Sequence, residues 1–188
     1  MIINEGFEPK RAKNDRLPPG QYEVRDFPVL SLGPTPDVTK ADWQLEISGL
    51  VEKPSKWNWN EFAKLPHEQI KKDIHCVTKW SKFDTDWEGV SLDYLMKLVG
   101  VQDSATHVVA HSSDDYTTNI PIEDLQNGQA WVATSYEGEE IPAPHGGPVR
   151  LFVPHLYFWK SAKWLTKLEF IDRDIPGFWE TRGYSHLS

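Results

Sequence analysis

DIHCVTKW, residues 73–80, carries the single cysteine of the chain, Cys76, and the fold is read outward from it. In KKDIHCV, Ile74 and Cys76 alternate with polar neighbours. Both therefore fall on one face of an extended segment, with the cysteine at or near its end. A thiol so placed can be a small buried hydrophobe. It can also be a nucleophile, which needs a His base held by a third group, or a ligand. Zinc is disfavoured, because there is no second Cys and no His pair with zinc-ligand spacing. Seven His residues permit a base, and their spacing does not choose one.

Upstream, DWQLEIS alternates Trp43, Leu45 and Ile47 with polar residues, the period-2 signature of a half-buried strand. Asn60 then reads as the N-cap of a short helix, EFAKL, stopped by Pro66. Downstream, Ser91 caps a clearer helix. Leu92, Leu95, Met96 and Val99 form its apolar stripe and Gly100 ends it. The second half supplies short strands in HVVAHS, QAWVATSY and PVRLFVP. A further strand, KWLTKLEF, alternates Trp164, Thr166, Leu168 and Phe170. EGEE turns a hairpin, and IPIEDLQNG reads as one helical turn closed by Asn127-Gly128. The expectation is an α+β domain dominated by mixed or antiparallel sheet, with a few short helices.

At 188 residues the chain is long enough for one domain with a proper core. Residues 1–40, rich in Pro, Gly and charge, read as an extended arm packed on a domain of residues 41–188. A net charge of −8 disfavours a nucleic-acid partner held by a broad basic face. No run approaches 18 apolar residues, so no membrane span is expected. One cysteine demands no oxidising compartment and the first residues show no secretory h-region, so a cytoplasmic location is expected.

Two other stretches can bind an anion. In APHGGPVRLFVP (143–154), two glycines after His145 allow close backbone approach to a bulky anion, and Arg150 suits bidentate phosphate recognition. The plainer reading is a loop entering a strand, with Arg150 on its solvated face. In FWKSAKWL (158–165), Ser161 and Lys163 can donate to a phosphate or heterocycle while Trp159 and Trp164 exclude water. The plainer reading there is an aromatic strand pair in the core.

Taken in order, YEVRDFPV (22–29), LEISGLVEKP (45–54), DIHCVTKW (73–80), WEGVSL (87–92), PHGGPVRLFVP (144–154) and KSAKWL (160–165) resemble the molybdopterin-binding domain of the sulfite oxidase family. That family includes eukaryotic and plant sulfite oxidases and the bacterial methionine sulfoxide reductase catalytic subunit. GFWETRGYSH (177–186) is similar to the bacterial members. The resemblance implies a β-rich, mixed-sheet sulfite oxidase-like fold and a molybdenum cofactor, one molybdenum per chain and no haem.

It also implies site residues. Cys76 becomes the protein thiolate on molybdenum, which suits a soft ligand. Arg25, Asp26, Phe27 and Pro28 fall on the N-terminal motif at the pterin and the metal pocket. His145 and Arg150 match the residues holding the pyranopterin and its phosphate, and Ser161, Ala162 and Lys163 the segment closing over it. A position near His111 or Ser112 supplies a further contact. Trp80, Tyr157 and Trp159 are expected as aromatic walls, with Tyr116 and Tyr184 on the substrate side.

The implied activity is oxygen-atom transfer on a small S-oxide, N-oxide or sulfite-like substrate, served by an unidentified electron-transfer partner. The other reading is a molybdopterin-binding or interaction module without turnover. The chain departs from sulfite-oxidising members at two places. RDFP lacks the Asn-His that follows their first arginine, and no arginine follows Cys76 until Arg150. Lys79 or Lys82 can replace that charge but not its bidentate fork.

Overall fold

The computed structural model describes residues 16–184. The strands β1 (Tyr22–Glu23), β2 (Gln44–Gly49) and β3 (Ser55–Asn58) come first, followed by the short helix α1 (Trp59–Phe62). A long hairpin, β4 (Glu68–His75) and β5 (Trp80–Ser91), leads into α2 (Leu92–Val99). Then come β6 (His107–Ser112), β7 (Thr117–Pro121), β8 (Trp131–Tyr136), β9 (Glu139–Glu140), β10 (Arg150–Phe152) and β11 (Leu165–Ile171). Among the described residues no helix is long and apolar enough to cross a membrane.

The strands form two mixed sheets. One runs β1-β5-β8-β10, with β4 added to β5 and β9 to β8; the other runs β3-β2-β11-β6-β7. Among the described residues only β1–β5 and β2–β11 pair in parallel. The α+β class and its β-rich, mixed-sheet character are thus as the sequence predicts. Before β2, residues 16–40 contain β1 and otherwise turns and irregular backbone. The first 15 residues of the expected arm, and the Ser185-His186 end of the GFWETRGYSH stretch, lie outside the described residues.

The main core explains why the alternating strands fold as they do. Trp43, Leu45 and Ile47 are buried there against Leu92, Leu95 and Val99 of α2. Burying each such aliphatic side chain contributes about 1.5–3 kcal/mol. Ser91 caps α2 by accepting from Tyr94 N, and Gly100 ends it at φ 67°, as expected.

Two elements differ from the sequence reading. The cap of α1 is Asn58, not Asn60: its Oδ1 accepts from Glu61 N while Glu61 Oε2 accepts from Asn58 N. Glu61 stands three residues after Asn58, which completes a capping box that Asn60 lacks. In KWLTKLEF, Trp164 precedes the strand and the buried strand residues are Leu165, Leu168 and Phe170. A register shift between Leu165 and Lys167 breaks the alternation, leaving Thr166 half-buried with its hydroxyl on His111 O.

On the opposite face of the six-stranded sheet lies a second, aromatic core. It gathers Trp80, Trp87, Trp131, Phe152 and Phe158 around Ile74 and Cys76. This core forms the floor of the candidate site.

Candidate cofactor site

Cys76 follows the last residue of β4 and opens the turn into β5. Lys79 N donates to Cys76 O at 2.9 Å, and Cys76 N donates to Trp80 O at 2.9 Å. Lys79 closes the turn at φ 73°, a left-handed conformation that non-glycine residues adopt at a cost. The N-terminal arm secures this turn from the side. Tyr22 N donates to Lys79 O at 2.8 Å and Gln21 Nε2 to Cys76 O at 3.0 Å. The thiol is 5% exposed and accepts a 3.1 Å hydrogen bond from Thr78 Oγ1.

Above Cys76 a cavity of about 340 Å³ opens, within the range of small-molecule and cofactor sites. Its walls come from six segments: the arm, the Cys76 turn, the turn after β6, the two stretches flanking β10, and the C-terminal segment with Trp179 and Tyr184. Cys76, Ser112, Tyr116, His145, Arg150, Ser161, Ala162 and Lys163 all line it, as do Phe27 and Pro28. Six segments scattered over the sequence therefore meet at one site.

Not every expected residue joins them. Arg25 and Asp26 have exposed side chains outside the lining; Arg25 contributes its carbonyl, which accepts from Lys82 Nζ at 2.6 Å. His111 points the other way, toward Glu169 at 3.3 Å, because successive side chains of β6 alternate and its neighbour Ser112 takes the inward position. Tyr157 gives its wall position to Phe158. Tyr116 lines the cavity with its hydroxyl already donating to Trp159 O at 2.7 Å, and burial raises its pKa strongly. Trp80, Trp159 and Tyr184 stand in the walls.

The electrostatics are unusual for a protein interior. Arg150 is 1% exposed, which excludes a solvated strand face for it. Its guanidinium donates to His145 O at 2.6 Å and Ser161 O at 2.7 Å and lies 4.1 Å above the Phe158 ring. Burial pulls its pKa down to about 9, so it stays protonated at neutral pH. Lys163 Nζ donates to Leu30 O and Pro144 O, both at 2.7 Å, and burial lowers its pKa to about 8. Burial, then Arg150 and Lys163, hold His145 down at about 4 and therefore neutral. Against these two cations the lining contains one carboxylate, Asp114.

The two glycines after His145 act differently from the expectation. Their N–H groups donate to Ala143 O and Pro142 O inside the turn, not outward to a ligand. Gly146 has φ 103° and a Cβ there would lie 2.8 Å from Lys163 Cα; one on Gly147 would lie 1.9 Å from Ile141 O. They are needed for chain-to-chain approach, which places His145 and Lys163 on one wall.

An anionic, hydrogen-bond-rich group fits this cavity. The hydrogen bonds above give its buried arginine and half-buried lysine only neutral oxygens as partners, and such cations gain from an anion. Three buried polar atoms in the walls, Trp80 Nε1, Ser112 Oγ and Trp159 Nε1, have no hydrogen-bond partner among the described residues. Among the described residues, no three His, Cys, Asp or Glu side chains cluster to hold a metal ion. A metal here would have to arrive with most of its ligands on a cofactor.

Residues 32–179 match the family model of the oxidoreductase molybdopterin binding domain. The chain belongs to this family. It is 40% identical over 175 residues to the uncharacterized oxidoreductase YuiH of Bacillus subtilis, spanning 92% of this chain and 87% of that one. It is 34% identical to the putative protein-methionine-sulfoxide reductase subunit YedZ1 of Azospira oryzae, covering 79% of this chain and 56% of the relative. It is 28% identical to the protein-methionine-sulfoxide reductase catalytic subunit MsrP of Gluconobacter oxydans, covering 73% and 49%. The chain thus spans about half the length of these two reductase relatives. The sulfane dehydrogenase SoxCD of Paracoccus pantotrophus shares the fold, with a TM-score of 0.67 and 22% identity over 74% of this chain and 40% of that one. The chain is therefore a molybdopterin oxidoreductase domain, an enzyme of the sulfite oxidase family.

Sequence reasoning missed three features of the site. The Thr78 hydroxyl on Cys76 followed from no motif. The Lys163 contacts reach back to Leu30, 133 residues away. The third is the buried pair of Lys160 Nζ and Glu180 Oε1 at 2.6 Å, which fixes the segment bearing Trp179 and Tyr184 against the cavity. The Trp159-Lys160 dipeptide was its sole sequence signal, since a lysine amid aromatics needs a partner.

Proposed function

We propose that this domain binds one molybdenum cofactor per chain, without haem, and transfers oxygen on a small neutral S-oxide. The carrying observation is that the Cys76 sulfur and two cations with neutral partners, Arg150 and Lys163, line one cavity. Cys76 supplies the protein thiolate to the metal, while Arg150 and Lys163 hold the phosphate of the pterin. Ser112, His145, Ser161 and Ala162 line the pterin itself. Arg25 and Asp26 belong to the arm that carries Phe27 and Pro28 to the wall.

When bound, the cofactor supplies two-electron oxygen-atom transfer. The chain's part is to orient and exclude. Phe27, Trp80 and Phe158 keep water from the floor, and Tyr116 and Trp159 close the side facing the substrate. Neutral His145 stacks on the arm without adding a charge.

Substrate charge follows from where the cations stand. Beside Cys76 the lining is Val77, Thr78 and Trp80, none of them charged. Lys79 and Lys82, which could have replaced an oxyanion-binding arginine, lie outside the lining, and Lys82 is committed to Arg25 O. An oxyanion substrate would find no dedicated partner, whereas a neutral S-oxide needs only one hydrogen-bond donor. A separate protein must deliver electrons to the site; the −8 net charge of the chain suits a basic carrier. Fractionation of the native host tests the cytoplasmic placement.

The test is elemental analysis of protein from molybdate-fed cells, with pterin extraction and a reduced-dye assay. About one molybdenum and one pterin per chain, both lost in Cys76→Ser with the fold retained, is the expected result. Reduced dye should be oxidised by neutral S-oxides in preference to N-oxides. Sulfite gives up electrons and so needs an oxidised dye as acceptor, which it should reduce little. Full metal retention by Cys76→Ser overturns the ligand assignment, and equal turnover of sulfite overturns the substrate class.

A further inference from the structure

We infer that Thr78 is a positioning residue that sets the reduction potential of the site through the sulfur of Cys76. This rests on the proposed ligation of molybdenum by Cys76. Thr78 Oγ1 lies 3.1 Å from Cys76 Sγ and donates to it, and among the described residues no other donor is found on that sulfur. The contact is imposed by the backbone. Residues 76–79 form one hydrogen-bonded turn, closed by Lys79 N on Cys76 O and by Cys76 N on Trp80 O. Lys79, held at φ 73°, fixes the chain direction after Thr78. Two arm residues, Gln21 and Tyr22, lock the turn's carbonyls. The hydroxyl is thus held on the sulfur by main-chain bonds on both sides, and Thr78 itself lines the cavity.

A hydrogen bond to a ligating thiolate draws electron density from the sulfur and favours the reduced, more electron-rich metal. Removing it should make the site harder to reduce. Thr78→Val keeps the β-branched shape and deletes the donor; Thr78→Ser keeps the donor and deletes a methyl group.

The experiment is a potentiometric titration of molybdenum-loaded wild type, Thr78→Val and Thr78→Ser, followed by the Mo(V) electron paramagnetic resonance signal. Metal content and circular dichroism are measured on the same samples. Thr78→Val should load molybdenum, shift the midpoint potential negative and alter the Mo(V) g-values, while Thr78→Ser returns both to wild type. Loading by Thr78→Ser but not by Thr78→Val, both folded, also supports the donor. A loaded Thr78→Val with wild-type potential and spectrum overturns the inference, as does metal loss in both folded variants, which would leave Thr78 a role in the turn alone. Wild type without molybdenum from cells that make the cofactor would instead overturn the underlying ligation, and this inference with it.

Discussion

The phenyl ring of Phe27 lies flat on the imidazole of His145, with centroids 3.8 Å apart and planes 10° from parallel. This contact joins the arm to the wall that carries Arg150, and Phe27 also reaches the aromatic floor through Phe158 at 5.8 Å. Phe27→Ala deletes the stack and a half-buried ring together. It should cost about 1–3 kcal/mol in urea unfolding, with a matching loss of bound pterin. Phe27→Tyr should retain most of both. Unchanged unfolding in Phe27→Ala would mean that the arm is held by its other contacts alone.

His145 also makes stability depend on pH. Its folded pKa, about 4, lies below the ordinary 6.5. Between these values the unfolded chain binds a proton that the folded chain does not, so stability rises with pH across that window. As pH falls from 6.5 to 4, His145 should remove on the order of 1 kcal/mol once solvent screening of this half-buried ring is allowed for. His75 and His111 are also lowered, so they act in the same direction. The diagnostic quantity is therefore the difference in slope between wild type and His145→Asn, measured by urea midpoints from pH 4 to 7.5. Parallel curves would show that the imidazole is not held neutral.

Lys79 occupies a left-handed position where glycine is preferred. Lys79→Gly should relieve about 1–2 kcal/mol of backbone strain and lose about half of it to the entropy of the unfolded chain. The net gain, about 0.5–1 kcal/mol, should appear as a higher unfolding midpoint with molybdenum retained. Lys79→Ala removes the same charge without relieving φ, so it should give no gain. Equal stabilisation by both would assign the effect to charge.

Lys160, 1% exposed, donates to Glu180 Oε1, Asn119 O and Asn119 Oδ1. Thr118 Oγ1 and Asn119 N also donate to Glu180 Oε1, binding the C-terminal segment to β7. Breaking a buried pair from one side leaves an uncompensated charge, at about 3–5 kcal/mol. Lys160→Met and Glu180→Gln should each destabilise strongly. The double variant should recover a large part of the loss, which a double-mutant cycle measures directly. Full additivity would mean that the two act independently.

How far the fold is legible in the sequence depends on the range of the forces involved. α2 and β2 declare themselves because burial acts with a local period, and the Ser91 and Gly100 caps act within a turn. α1 was displaced by two residues because two asparagines compete for one cap, and only the position of Glu61 decides. β11 lost its alternation to a bulge set by its partner β6, which lies 53 residues or more away in sequence. The site followed the same division. Cys76, Arg150 and Lys163, singled out by an ordered set of short motifs, all line the cavity. Whether Ser112 or His111 faces inward depended on the phase of β6, and Arg25 was replaced at the wall by Phe27 and Pro28. Contacts such as Thr78 to Cys76 or Lys163 to Leu30 depend on backbone geometry that no residue spacing encodes.

Gly147 offers the sharpest separation of packing from chemistry. A Cβ there would lie 1.9 Å from Ile141 O and 2.9 Å from Ile141 C, both backbone atoms that no side-chain rotation can move aside. Gly147→Ala must therefore push the turn carrying His145 away from the chain at Ile141. Overpacking of this kind costs about 1–3 kcal/mol or more, and it should separate His145 O from the Arg150 guanidinium that it accepts from. Gly33→Ala is the control, because a Cβ at Gly33 meets nothing within 4 Å and its φ is unstrained. Unfolding midpoints and bound pterin should fall together in Gly147→Ala and stay at wild-type values in Gly33→Ala. A Gly147→Ala protein of normal stability that loses pterin alone would instead place Gly147 against the cofactor, not against Ile141.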